Sequence, residues 1–163
     1  MERTPRLVQA INLCILISVV QMGRIEEIIG KRARVAQMYN ERLGKIRGVR
    51  LPYIAPEVTR MSWFVYVIRV GVEERTHEMQ SAVRDHVMTR FQQAEIGCRP
   101  YFTPIHLQPY YRQQFGYKEG DYPVTEEAGR TSIAIPFHNR VSADEIDYVA
   151  EVLERALAER LRR

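Results

Sequence analysis

Apolar residues recur at three- and four-residue steps in two parts of the chain, and this spacing predicts amphipathic helices. In the first part, residues 20–46, the apolar positions are Ile25, Ile28, Ile29, Val35, Ala36, Tyr39 and Leu43. In the second part, residues 74–94, they are Met79, Val83, Val87 and Phe91. A third helix is predicted over residues 142–160, because Ser142-Ala-Asp-Glu145 has the form of a capping box.

Three other segments have the composition of β-strands. Trp63–Val70 is dense in aromatic and β-branched residues, and its nearly continuous apolar character favours a central strand or one covered on both faces. Ile96–Phe102 and Thr131–Ile135 are the other two. Residues 49–53 are compatible with a short extended piece, and residues 110–129 are interpreted as mostly loop with a short helix near 124–128. The element order predicts an α+β fold with a small three-stranded sheet, helices packed on one face, and a long N-terminal helix before it.

Length and charge narrow the possible functions. The 163 residues suit one domain, with 45% apolar residues and a formal net charge of +4. Arginine is abundant, at twenty-one residues against three lysines, but twenty acidic residues are interleaved with it. A nucleic-acid-binding surface needs a one-sided basic patch. The basic residues of 24–50 are therefore interpreted as a solvated helix face, and no nucleic-acid partner is expected.

The cysteines and the apolar run at the N-terminus indicate the compartment. Cys14 and Cys98 lack metal-ligand or disulfide-framework spacing, so both are expected to be reduced and no metal site is expected. The run from Leu13 to Val20 is shorter than the ~20 residues that span a bilayer, and it lacks a cleavage site. We expect no membrane association and a cytoplasmic location.

The most distinctive stretch is Arg99-Pro-Tyr-Phe-Thr-Pro-Ile-His-Leu-Gln-Pro-Tyr-Tyr111. Prolines at 100, 104 and 109 are expected to prevent a helix and to hold the residue before each in extended geometry. A rigid segment that carries Arg, His and Gln between aromatic rings is typical of a site loop.

This stretch resembles the motif Gly-Ile-x-x-Arg-Pro-Tyr-Phe-x-Pro-(Leu/Ile)-His-x-Gln-Pro of the DegT/DnrJ/EryC1/StrS family of pyridoxal-phosphate (PLP)-dependent sugar aminotransferases. Further blocks follow the family's order, from about residue 20 to residue 157. They are Gln21–Ile29, Trp63–Val67, Phe115-Gly-Tyr117 and Ile135-Pro-Phe137.

The resemblance implies that residues 20–163 are the small C-terminal domain of an enzyme with the aspartate-aminotransferase fold (fold type I). Residues 1–19 diverge from the family pattern, and the large PLP-binding domain is expected to be absent. In the family, PLP serves amino transfer from glutamate to a nucleotide-linked keto-sugar in polysaccharide or antibiotic-sugar biosynthesis. None of Lys31, Lys45 and Lys118 lies in a context that matches the lysine to which PLP attaches.

We therefore expect the chain alone to bind no PLP and to be inactive, with no catalytic residue of its own, and no cofactor-binding residue is assigned. A homodimer or a separately encoded large domain is the expected partner. The alternative is a non-catalytic interaction module.

The resemblance also points to substrate-binding residues. His106 would face the cofactor and the sugar. The alternative is a structural role, in which its imidazole forms a hydrogen bond with a backbone carbonyl. Arg99 would bind an anionic group of a substrate, or else form a surface ion pair with an acid such as Glu95. Gln108 would either orient the loop or contact the substrate. Tyr101 would either line a site for a sugar or a base, or pack beside the strand.

Overall fold

The computed structural model describes residues 16–161. Residues 1–15, which include Cys14 and most of the segment predicted to diverge, lie outside the described residues. The α-helices are α1 Ile25–Leu43, α2 His77–Gln93, α3 Pro109–Phe115, α4 Pro123–Thr131 and α5 Ala143–Leu161, with a 3-10 helix at Ile105–Leu107. Residues 16–23 are also helical. The strands are β1 Val49–Arg50, β2 Tyr66–Val70, β3 Arg99–Pro100 and β4 Ser132–Ile135.

The four strands form one antiparallel sheet in the order β1-β2-β4-β3. The three predicted strands do share a sheet, but each is shorter than predicted: Tyr66–Val70 within 63–70, Arg99–Pro100 within 96–102, and Ser132–Ile135 within 131–135. The prediction of three strands is wrong. The short extended piece after α1 adds a fourth, because Val49 pairs with Val70 at the edge of β2. This strand has only two residues, too few for a period-two pattern in the sequence to reveal it.

Strand β2 is central, as its apolar character predicts. Tyr66, Ile68 and Val70 are fully buried, and the residues between them are half-buried. Side chains alternate across a strand, so these three lie on the face that the helices cover. Burying each side chain contributes about 1.5–3 kcal/mol relative to leaving it exposed.

Helices α2 and α5 begin at side-chain caps. The Thr76 hydroxyl accepts a hydrogen bond from the Met79 amide at 3.2 Å. At α5 the predicted capping box is confirmed: the Glu145 carboxylate accepts from the Ser142 amide at 2.7 Å, and the Ser142 hydroxyl accepts from the Glu145 amide at 3.2 Å. Met79 is exposed, contrary to the predicted apolar face of α2, while its neighbour Gln80 is buried.

The predicted helix over 20–46 is divided in two. A turn at Arg24 separates the helical residues 16–23 from α1, which ends at Leu43. Tyr39 and Leu43 are fully buried in the core, and Arg42 pairs with Asp147 of α5 at 2.7 Å. The first turns of α1 are largely solvated, and there Glu27 pairs with Lys31 at 2.5 Å. This agrees with the interpretation of the basic residues as a solvated face.

Aromatic rings join α1 to the sheet. Tyr66 stacks between Tyr39 and Trp63, with centroid distances of 5.0 and 5.7 Å. Phe137 covers the same cluster at 5.9 Å from Tyr66. The Tyr39 hydroxyl donates to the Pro136 carbonyl at 2.8 Å. Burial raises the pKa of both tyrosines.

An apolar surface, which we call the N-terminal apolar face, precedes α1. Its five described side chains are between 53% and 65% exposed: Leu16, Ile17, Val19, Val20 and Met22. If the chain is the small domain of a two-domain enzyme, as the resemblance implies, residues 11–20 are expected to form an exposed patch. Residues 16–20 are exposed, and residues 11–15 lie outside the described part of the chain.

Candidate functional site

The proline-framed segment lies between the sheet edge and α4. It starts in edge strand β3, whose Arg99 pairs with Ala134, and continues through the 3-10 helix into α3. The expectation that Pro109 excludes a helix is wrong, because Pro109 is the first residue of α3. Proline is favoured at that position, where the missing N–H would have no helical partner. The residue before it, Gln108, is extended as expected.

His106 is turned into the protein. Its side chain is 8% exposed, and its Nε2 lies 3.0 Å from Oε1 of Glu126 in α4. An ionised carboxylate can only accept hydrogen bonds, so Nε2 is the donor in this pair. The rings of Tyr122 and Tyr117 stand edge-on to the imidazole, with centroids at 4.8 and 6.3 Å. The imidazole is thus held by a side chain twenty residues further along the chain.

Glu126 is the centre of this arrangement, and its side chain is only 1% exposed. Besides His106, it accepts from the Gly120 amide at 2.9 and 3.0 Å and from the Tyr122 amide at 3.3 Å. Burial alone would raise the pKa of this carboxyl, but the hydrogen bonds from His106 and the two amides outweigh burial and lower it. Glu126 is therefore ionised at neutral pH and ties the 117–122 turn to the 3-10 helix.

A cleft of about 460 Å³ opens beside the Glu126 carboxylate, between α2, α4 and the proline-framed segment. Arg130 lines it, with Nη1 3.8 Å from Glu126 Oε2 and Nε donating to Gln80 at 3.2 Å. Arg84 lines it as well and donates to the Gly129 carbonyl at 2.9 Å. The cleft is thus lined by two guanidinium groups together with three carboxylates, those of Glu78, Glu119 and the buried Glu126.

A glycine allows the segment to approach α4 closely. A Cβ at Gly129 would lie 2.7 Å from the Phe102 carbonyl oxygen and 2.8 Å from Pro104 Cδ. Such distances exclude a side chain, so Gly129 is required for this packing.

Arg99 lies elsewhere. It is exposed on β3 and lines a separate open cleft of about 460 Å³ with Cys98, Ile96 and Ala134. Burial raises the pKa of the Cys98 thiol. His106 lines neither this cleft nor the one beside Arg130, so the structure does not bring Arg99 and His106 to one surface. The positions of Arg99 and His106 do not test the predicted roles of these residues in substrate binding, and the roles stay predictions.

The other two predicted residues differ in exposure. Gln108 is exposed, and its carbonyl accepts from the Arg112 amide at 3.0 Å at the start of α3. Tyr101 is half-buried and stacks on Phe102 at 4.0 Å. Their roles as substrate contacts also stay predictions.

Sequence reasoning missed Glu126 and Arg130. The one local signal was Pro123 followed by acidic residues, which is typical of a helix start. Nothing in that pattern identifies His106 as the partner, since the two residues meet only through tertiary packing.

Residues 16–161 contain neither a cluster of metal ligands nor a membrane-spanning helix. No three His, Cys, Asp or Glu side chains in this range are grouped as a metal site would require. No helix in the same range is long and apolar enough to cross a membrane.

The fold is that of the aminotransferases. The crystal structure of the aminotransferase TlmJ from Streptoalloteichus hindustanus superimposes with a TM-score of 0.73 at 24% sequence identity, over 89% of this chain and 36% of that one. The four-stranded sheet with helices is therefore a portion of an aminotransferase fold.

The chain belongs to the DegT/DnrJ/EryC1/StrS aminotransferase family, which it matches over residues 10–154. It is 29% identical to the spore coat polysaccharide biosynthesis protein SpsC of Bacillus subtilis, over 82% of this chain and 33% of that protein. It is 27% identical to the GDP-perosamine synthase of Caulobacter vibrioides, over 90% of this chain and 37% of the synthase. The chain thus spans about a third of the length of these relatives. The family is PLP-dependent and acts on nucleotide-linked keto-sugars.

The lysines of this chain do not fit the attachment of PLP. A lysine that reacts with an aldehyde needs a desolvated amine or a neighbouring cation that lowers its pKa. Lys31 is half exposed and bound to Glu27, and Lys45 and Lys118 are exposed.

Proposed function

We propose that residues 20–163 are the small, C-terminal domain of a PLP-dependent nucleotide-sugar aminotransferase. In this proposal the reaction transfers an amino group from glutamate to a keto-sugar, and it requires a large domain that supplies the cofactor lysine. The observation that carries the proposal is the family match over residues 10–154, together with a folded core that corresponds to about a third of each relative.

Two further features support the proposal. The three lysines are exposed, so a chain that acts without a large domain has no group suited to hold PLP covalently. The proline-framed segment is rigidly held by Glu126 and Gly129, as a loop that positions substrate should be. A cytoplasmic location belongs to the same proposal, because the family's substrates are nucleotide-linked sugars.

A chimera tests the proposal directly. The matching third of the Caulobacter vibrioides GDP-perosamine synthase is replaced by residues 20–163 of this chain, and formation of GDP-perosamine is measured. We expect a folded chimera with measurable activity. A folded chimera that binds PLP but forms no product would contradict the proposed function.

The chimera also tests the predicted substrate residues. In it, His106→Ala and Arg99→Ala are each expected to lower activity about tenfold or more, as the loss of a charge-assisted contact should. Arg140→Ala is the matched control, because Arg140 is exposed and its side chain makes no hydrogen bond or ion pair within residues 16–161. Thermal unfolding of each variant separates lost substrate contact from lost stability. Unchanged activity in a folded His106→Ala chimera would leave that histidine a structural role.

The isolated chain gives a second test. Titration with PLP, followed by visible absorbance and by borohydride trapping with mass spectrometry, should show no lysine labelled in preference to the others. Selective labelling of one of the three lysines would overturn the requirement for a separate large domain.

The alternative, an interaction module or the partner of a separately encoded large domain, is favoured by the N-terminal apolar face. Contiguous exposed apolar residues mark interaction surfaces on many proteins. Multi-angle light scattering of the chain and of a Leu16→Ser/Val20→Ser variant tests it. A dimer that the variant converts to a monomer supports an interface there, and a monomer in both cases argues against self-association through this face.

A further inference from the structure

A cleft of about 220 Å³ lies at the β1 edge of the sheet, opposite the β3 edge where the proline-framed segment begins. Its walls are the turn after α1, strand β1, the turn after β2, and residues of α2 and α5. None of the predicted site residues contributes to it. The cleft is therefore a separate feature of the fold.

Three arginines and two glutamates line this cleft: Arg47, Arg50, Arg160, Glu73 and Glu74. None of these five side chains makes an ion pair or hydrogen bond within residues 16–161. Elsewhere on the surface opposite charges do pair across elements, as Arg42 with Asp147 and Arg90 with Glu159 do, each at 2.7 Å. Charges of both signs thus surround one cavity without neutralising each other.

The floor of the cleft is apolar and closely packed. Val83 of α2 and Leu157 of α5 contribute to it, and both are buried. The turn after β2 is pressed onto α2, since a Cβ at Gly71 would lie 2.9 Å from Val83 Cβ and 3.1 Å from the Gln80 carbonyl oxygen. Gly71 has φ +69°, which glycine adopts without cost. A floor fixed in this way is already formed before any ligand arrives.

We propose that this cleft binds a free aliphatic L-amino acid. The guanidinium groups recognise its carboxylate, for which their planar fork is suited. Glu73 and Glu74 accept hydrogen bonds from its ammonium group, and the floor of Val83 and Leu157 covers its side chain. A simple anion would complement the arginines alone and leave the two carboxylates without a partner, whereas a zwitterion complements charges of both signs.

Nuclear magnetic resonance tests the site on the chain itself. Titration of ¹⁵N-labelled protein with L-leucine should shift the amide signals of Gly48 and Gly71, which line the cleft, and leave those of Gly97 and Gly120 unchanged. Inorganic phosphate, titrated separately, should produce weaker shifts. No shift at Gly48 and Gly71 at millimolar L-leucine would overturn the proposal. Equal response to phosphate, with no response to leucine, would reduce the cleft to a general anion site and would also overturn it.

Variants of exposed cleft residues provide the second measurement. Arg50→Ala and Glu73→Gln should each weaken leucine binding about tenfold, because each removes one charge-assisted hydrogen bond. Neither side chain makes a contact that the fold requires, so both proteins should remain folded. Arg34→Ala is the matched control, since Arg34 is exposed on α1 and unpaired within the described residues. Unchanged affinity in Arg50→Ala and Glu73→Gln would refute the assignment.

Discussion

Replacing Glu126 by Gln removes one buried negative charge while keeping the shape of the side chain. The carboxylate accepts from His106 at 3.0 Å, from Gly120 at 2.9 Å and from Tyr122 at 3.3 Å. The amide of Gln keeps one acceptor oxygen, but its NH₂ group faces the donors Gly120 N–H and Arg130 on the other side. Two donors that face each other in a buried site cannot both be satisfied.

The size of the effect follows from these contacts. Hydrogen bonds to a charged group contribute about 1.5–3 kcal/mol each. Since Gln preserves some of these hydrogen bonds, we expect Glu126→Gln to lower the free energy of unfolding by about 2–3 kcal/mol. For a domain of this length that corresponds to a fall in Tm of about 4–12 °C. Circular dichroism during heating measures it, and Glu154→Gln is the matched control, because Glu154 is exposed and unpaired within the described residues.

The pH dependence gives an independent check. The folded pKa of Glu126 is below its usual value, so the ionised form stabilises the folded state at pH values above the unfolded pKa of about 4.3. This stabilisation is lost as the pH falls through the lower, folded pKa. The Tm difference between the wild type and Glu126→Gln should therefore be largest at neutral pH and shrink on acidification. A Tm no lower than that of Glu154→Gln at pH 7, or a difference that grows on acidification, would refute this reasoning.

Three further substitutions test other contacts. Gly129→Ala should destabilise the protein by about 2 kcal/mol or more, because its Cβ would overlap the proline-framed segment. Gly97→Ala is the control, since the space around Gly97 is open, and it should change the Tm by less than about 2 °C. Equal effects of the two substitutions would contradict the packing. Ser142→Ala should cost about 1 kcal/mol in urea unfolding, through loss of the α5 cap, and no loss would refute the capping box. Tyr39→Phe should cost about 1–2 kcal/mol in the same assay, because it leaves the Pro136 carbonyl without its donor, and an unchanged midpoint would argue against that bond.

Elements whose signals are local could be predicted from the amino-acid sequence. The apolar spacing of Val83, Val87 and Phe91 located α2, and Ser142 with Glu145 located the start of α5. The composition of residues 63–70 located the central strand, although its actual range is Tyr66–Val70. In each case the residues that carry the signal lie within a few turns or one strand of each other, so that burial of one face is already encoded in their spacing.

Contacts that join distant residues depend on tertiary packing and could not be predicted in this way. The two-residue strand β1 exists because β2 offers it an edge, and the arrangement of His106 with Glu126 depends on α4 folding back over the proline-framed segment. The position of Arg99, in a cleft apart from His106, follows from the register of β3 on β4. The free energy of such contacts depends on the burial and orientation of both partners, and no local pattern of residues specifies either one.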